Sequence, residues 1–265
     1  MRKILIITSI FAILILLFIS LNSYIQVSFY PILKSIEKNK ILYKTRQFST
    51  LETAHFSVRY TDKDKYIAKI TGEELEKYYN EVCSKLNYFP EGKISVIIYS
   101  KGDELVNTIK LKTKTPPLGA YCNDTIHILS PYEWVEDTEN VEKVYRETGP
   151  AVHEFTHFIV DEKTRGNYPM WLTEGISLYM ENVTIGFSWE AGKGETNGIT
   201  IEDLNDDFDE VKQEVAYRKS FEVVKDVLNE YGFDKLNMLL DNLGKGNDIE
   251  NSVKVALKIN FNDID

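Results

Sequence analysis

The chain has 265 residues, 43% of them hydrophobic and 12% aromatic, enough for one substantial core of catalytic size once an apolar N-terminus is set aside. Its 31 lysines and arginines stand against 41 aspartates and glutamates, a net charge of −10, which excludes a generic nucleic-acid surface because that needs a basic stripe. Two cysteines, Cys83 and Cys122, are too few for a disulfide framework, and no CxxC occurs; one bridge outside the cell or two free thiols both remain open.

Residues 4–21, "ILIITSIFAILILLFISL", carry no charge. As a helix this run would be about 27 Å long, close to the ~30 Å hydrocarbon core of a bilayer. It is longer than the roughly 7 to 15 apolar residues of a cleaved signal peptide, and "SLNS" is a poor cleavage site. The expectation is an uncleaved transmembrane anchor over 1–24, with secretion after signal cleavage as the alternative. Arg2 and Lys3 favour an inside N-terminus and a domain outside the cytoplasm; Lys34, Lys38 and Lys40 weaken that orientation.

Residues 25–50 read as a stalk broken at Pro31, helical in part, and 51–265 as one domain. "HFSVRY" (55–60) alternates like a strand, and 65–87 has apolar residues at helical spacing. "ISVIIYS" (94–100) predicts a central strand, and "GAYCNDTIHILS" (119–130) a hairpin turning at Asn123 and Asp124. From about 140 the pattern is helical, with Gly149 and Pro150 punctuating it. Residues 183–200 predict an irregular stretch. Three helices follow, at 217–232, 233–246 and 248–259, with Gly232 and Gly244 placed as C-terminal stops.

The chemistry concentrates in "HEFTH", where two of the chain's four histidines sit four residues apart. On a helix, His153 and His157 share one face and can converge on one metal. Glu154, beside the first, can reach a water held there and act as general base. A third ligand could be Asp161, Glu162 or Glu174. Asp161 lies about 6 Å further along the same helix and is rotated away. Glu174 follows a break at Gly166, Asn167 and Pro169 that lets a second helix fold back, so His153, His157 and Glu174 form the expected metal set. Glu162 reads as a solvated face, and His55 and His127 as strand residues.

"HEFTH" with "WLTEGISLYMEN" resembles the gluzincin metallopeptidases, in particular the peptidase MA-like domain, and the resemblance extends over roughly 52–262 through "HFSVRYTDKD", "ISVIIYS", "LGAYCNDTIHILSP" and "AYRKSFEVVKDVLNEYG". It implies an α+β fold, a small mixed sheet on the HExxH helix followed by a helical C-terminal half. It also implies one zinc per chain on His153, His157 and Glu174, with Glu154 polarising water for attack on a peptide or protein substrate. Tyr217 is the candidate oxyanion stabiliser, and an edge strand near "TIHILS" would pair with the substrate backbone.

Two departures matter. Leu178 stands where thermolysin-type enzymes carry an aspartate that orients a zinc histidine, so that partner must come from elsewhere. Cys122 in "GAYCN" replaces the glutamate of the aminopeptidase "GAMEN" segment, which points to an endopeptidase. The combined expectation is a membrane-tethered zinc peptidase; the alternative is a non-catalytic, zinc-containing binding module at the cell surface.

Overall fold

A strand in which every residue is apolar or β-branched must be covered on both faces. Ile94–Tyr99 (β3) comes close to such a strand, and all six of its residues are buried. It lies at the centre of a five-stranded sheet of order β1-β2-β3-β5-β4 in the computed structural model, which describes residues 24–113, 115–137, 139–186 and 198–264. The flanking strands Phe56–Tyr60 (β2) and Thr125–Leu129 (β5) run parallel to β3. The outer strands Ser49–Glu52 (β1) and Gly119–Cys122 (β4) are antiparallel to their neighbours. The hairpin turns at Asn123 and Asp124, both at positive φ, as expected.

Alternation in β3 divides the core. Val96 and Ile98 join Phe56, Val58, Ile126 and Ile128 in the main core, against helices Lys65–Lys85 (α2), Ala151–Thr164 (α5), Met170–Ile185 (α6), Gln213–Gly244 (α8) and Ile249–Leu257 (α9). Ile97, Tyr99 and Leu129 point the other way, into a smaller cluster with Leu105 of the short helix Gly102–Ile109 (α3) and Ile41. The fold is therefore α+β, a mixed sheet with mostly helical content. Two further short helices are Val141–Thr148 (α4) and Ile201–Asp206 (α7). The short β1, α3 and α7 carry too few periodic residues to be legible in the sequence.

Gly232 does interrupt the C-terminal helices, with φ 73 and ψ 175 inside α8. Helix α8 ends at Gly244, as expected, but not through a left-handed turn at that residue. The positive φ falls at Gly246, while a Cβ on Gly244 would lie 2.4 Å from the Lys163 carbonyl oxygen, so this glycine serves the close approach of α8 to α5. Residues 183–185 continue α6 rather than beginning the irregular stretch.

Residues 24–44, expected as a stalk, are helical straight through Pro31 (α1). Contacts on both sides of the proline hold the helix there despite the lost N–H. The Tyr30 hydroxyl donates to Asp161 Oδ1 at 2.6 Å, and Lys34 Nζ pairs with Asp161 Oδ2 at 2.8 Å and with Glu162. Val27 and Ile41 are buried on the same face. The apolar run 4–21 lies outside the described residues; among those described, no helix is long and apolar enough to cross a membrane.

Candidate metal centre

Pro150 caps the start of α5, its carbonyl accepting the Glu154 N–H at 2.9 Å. The helix ends where Arg165 and Gly166 turn left-handed, and Pro169 then starts α6. This break folds α6 back along α5, in line with the reading of "RGNYP". The fold-back is tight. A Cβ on Gly175, the residue after Glu174, would sit 2.3 Å from the Ser220 carbonyl oxygen of α8, so only glycine lets α8 approach α6 this closely.

Three donor atoms meet as a result. His153 Nε2 and His157 Nε2 are 3.0 Å apart, and Glu174 Oε2 lies 3.4 Å from the first and 3.6 Å from the second. Ligands about 2.0 to 2.1 Å from one tetrahedral zinc would be about 3.3 Å from each other, so the triangle has the size that a zinc ion requires. Glu174 Oε2 is buried and accepts no hydrogen bond, which is costly unless something else satisfies it. Two imidazoles and a carboxylate are also a donor set that binds zinc. The residues present fit the ion.

The electrostatics point the same way. Burial opposes charge on His153, but the Glu174 and Glu181 carboxylates outweigh it and raise its pKa well above the usual value. Burial would raise the Glu174 carboxyl, yet the imidazoles beside it hold it well below the ordinary range. Such a cluster is built to share positive charge, which a divalent cation supplies directly.

The outer imidazole nitrogens answer the question left by Leu178, itself a buried apolar residue. His153 Nδ1 faces Glu181 Oε2 at 3.3 Å, and His157 Nδ1 faces Thr173 Oγ1 at 2.6 Å. These partners fix the rings with Nε2 toward the centre. Sequence reasoning missed both. Glu181 was recoverable, since it stands seven residues after Glu174, two turns along the same helix face.

Glu154 is buried beside the triad; burial raises its carboxyl pKa, partly offset by the two histidines. Tyr217, near the start of α8, donates to Glu174 Oε1 at 3.1 Å. Asp161 does not reach the histidines. It is fully buried and takes Tyr30, Lys34, Tyr121 and Tyr168 instead. Glu162 is not a solvated face but pairs with Lys34 and accepts from Tyr88 at 3.0 Å. His55 stacks on Tyr79 and pairs with Glu76, and His127 is buried between Tyr99 and Thr125. Cys83 and Cys122 are both free.

One expectation needs correcting. "TIHIL" is β5, an interior strand with β3 and β4 on its two sides, so it has no edge to offer. The edge is β4. A Cβ on Gly119 of β4 would lie 2.7 Å from Glu154 Oε1, so this edge passes directly over the glutamate.

A sheet edge laid across a buried histidine–glutamate cluster on two folded-back helices defines a peptidase-like domain. The chain belongs to the peptidase MA superfamily, whose family model matches residues 89–265, consistent with a gluzincin, peptidase MA-like domain. The match starts after β1, β2 and α2, which nevertheless complete the same sheet and core. No curated protein matches the chain.

Proposed function

We propose that the chain is a membrane-tethered, zinc-dependent endopeptidase, anchored by residues 4–21 with its domain outside the cytoplasm. The observation that supports the catalytic reading best is the donor triangle of His153, His157 and Glu174, with the outermost strand β4 across Glu154. When bound, zinc supplies a Lewis acid that polarises the scissile carbonyl and brings a water's pKa toward 7.

The chain's own residues do the rest. The β4 edge pairs with an extended substrate backbone and sets its carbonyl over the site. Glu154, its basicity raised by burial, takes the proton of the attacking water as the oxygen–carbon bond forms. That proton then passes to the departing amine nitrogen as the carbon–nitrogen bond breaks. The Tyr217 hydroxyl, already within hydrogen-bond reach of Glu174, turns to donate to the oxyanion. Cys122, in place of the amine-binding glutamate of aminopeptidases, supports internal rather than terminal cleavage.

Incubating the full-length chain with an unfolded protein tests this. New internal termini that vanish with a chelator and with Glu154→Gln are expected. Absence of chelator-sensitive cleavage would leave a peptidase-like binding module.

A further inference from the structure

Helix α1 presents one face to the domain and another to its surroundings. The inner one carries Val27, Tyr30, Lys34 and Ile41 and is docked on the domain. The outer one carries Ile25, Phe29, Ile32, Leu33 and Ile36 at helical spacing, and all five are exposed, Leu33 by 62%. No other helix among the described residues exposes more than two large hydrophobic side chains. A helix already docked on protein by one face has no use in water for an apolar stripe on the other. Past Ile36 the outward positions turn charged and aromatic, with Glu37 paired to exposed Lys40 and with Tyr43 under the Arg46 guanidinium.

Chain connectivity says what covers the stripe. The apolar run ends at Leu21, before Asn22 and Ser23, and four residues reach at most about 14 Å even when fully extended. If that run crosses a bilayer, Ile25 and Phe29 lie at its surface. There, Ile25, Phe29, Tyr30 and Leu33 line an open cavity of about 370 Å3 with Arg165. Arg165 is exposed and has no ion pair among the described residues, which suits a lipid phosphate.

We infer that the outer face of α1, from Ile25 to Ile36 with Arg165 beside it, is a lipid-contact surface lying in the headgroup–acyl boundary of the membrane. The inference rests on the tethered reading and deepens it. Apolar residues near the anchor sink into the boundary, while Lys40, Tyr43 and Arg46 meet the headgroups. Because Tyr30 and Lys34 bind α1 to Asp161 on α5, one turn beyond His157, the bilayer also fixes the attitude of the catalytic helix. The peptidase is held against the membrane surface rather than swinging on a stalk.

Full-length Phe29→Trp, Leu33→Trp and Tyr66→Trp variants, reconstituted into phosphatidylcholine–phosphatidylglycerol vesicles with brominated acyl chains, test this after subtraction of the native tryptophan emission. Tyr66 is an exposed control on α2. Emission from the indoles introduced at positions 29 and 33 is expected to be quenched by about twofold or more, as for side chains buried some 5–10 Å into the boundary. The indole at position 66 is expected to show no quenching. Flotation on a gradient is read on the same samples. A chain that floats with the indoles at 29 and 33 unquenched, or quenched no more than the control, overturns the lipid contact and leaves the tether intact; cross-linking between two α1 helices would then assign the stripe to a second copy. A chain that does not float at all overturns both.

Discussion

Gly119 of β4 and Glu154 of α5 are so close that a methyl group on the glycine would stand 2.7 Å from the carboxylate oxygen. The same methyl would meet Pro150 Cβ at 2.7 Å, and a proline ring at the start of a helix cannot move aside. Gly119→Ala is therefore expected to cost about 1 to 3 kcal/mol by overpacking. Displacement of Glu154 by even ~1 Å should lower kcat/KM by about 100-fold, with metal content unchanged. Urea unfolding and steady-state kinetics on the same sample check both.

Glu181 holds the outer nitrogen of His153. Glu181→Gln keeps the size and removes the charge, so zinc affinity should fall by about 10- to 100-fold while the fold survives. Competition with a chromophoric chelator measures it. Unchanged affinity would mean that the imidazole needs no help from this carboxylate.

Asp161 accepts four donors from three parts of the chain, and Lys34 is one of them. Asp161→Asn leaves the buried ammonium with only Glu162 as a close carboxylate partner besides Asp124 at 3.7 Å. Removing one member of a buried pair typically costs about 3 to 5 kcal/mol, so a Tm drop on the order of 6–15 °C is expected. Lys34→Met strands Asp161 in turn, but that carboxylate keeps the Tyr30, Tyr121 and Tyr168 hydroxyls as donors, so this change should cost less. Calorimetry on both variants separates the pair from the tyrosine contacts.

His127 is fully buried, and burial pushes its pKa down to about 3 from 6.5. It is neutral when folded and takes a proton when unfolded, so the unfolded chain binds more protons between these values. Stability is then complete above about pH 6.5 and declines as pH falls toward about 3, by up to roughly 1.4 kcal/mol per pH unit. His127→Gln cannot take the proton, and its stability should fall less steeply than that of the parent over the same range. Parallel slopes in urea titrations at several pH values would contradict this.

The site is more legible in the sequence than its surroundings are. The convergence of His153, His157 and Glu174 is readable because a candidate metal set is a matter of residue type and helical spacing, and the break at Gly166 and Pro169 announces the fold-back. β3 is readable because an almost wholly apolar strand admits few placements. Its neighbours are not. Which strand forms the edge depends on pairing order, and nothing in "GAYC" or "TIHIL" encodes order; hence the expectation of an edge at β5, where β4 provides it. The role of Asp161 depends on Tyr30 and Lys34, over a hundred residues away in sequence, in a segment whose exposed apolar residues and Pro31 disguise a docked helix.

The donor triangle is tested most directly by the metal content of the purified full-length chain. About one zinc per chain is expected for the parent and for Glu154→Gln, and far less for Glu174→Ala and His157→Ala at comparable folded fractions. A parent chain that folds without zinc and shows no change in melting temperature on adding it, or a Glu174→Ala variant that retains the full complement, would contradict the assignment of these three residues.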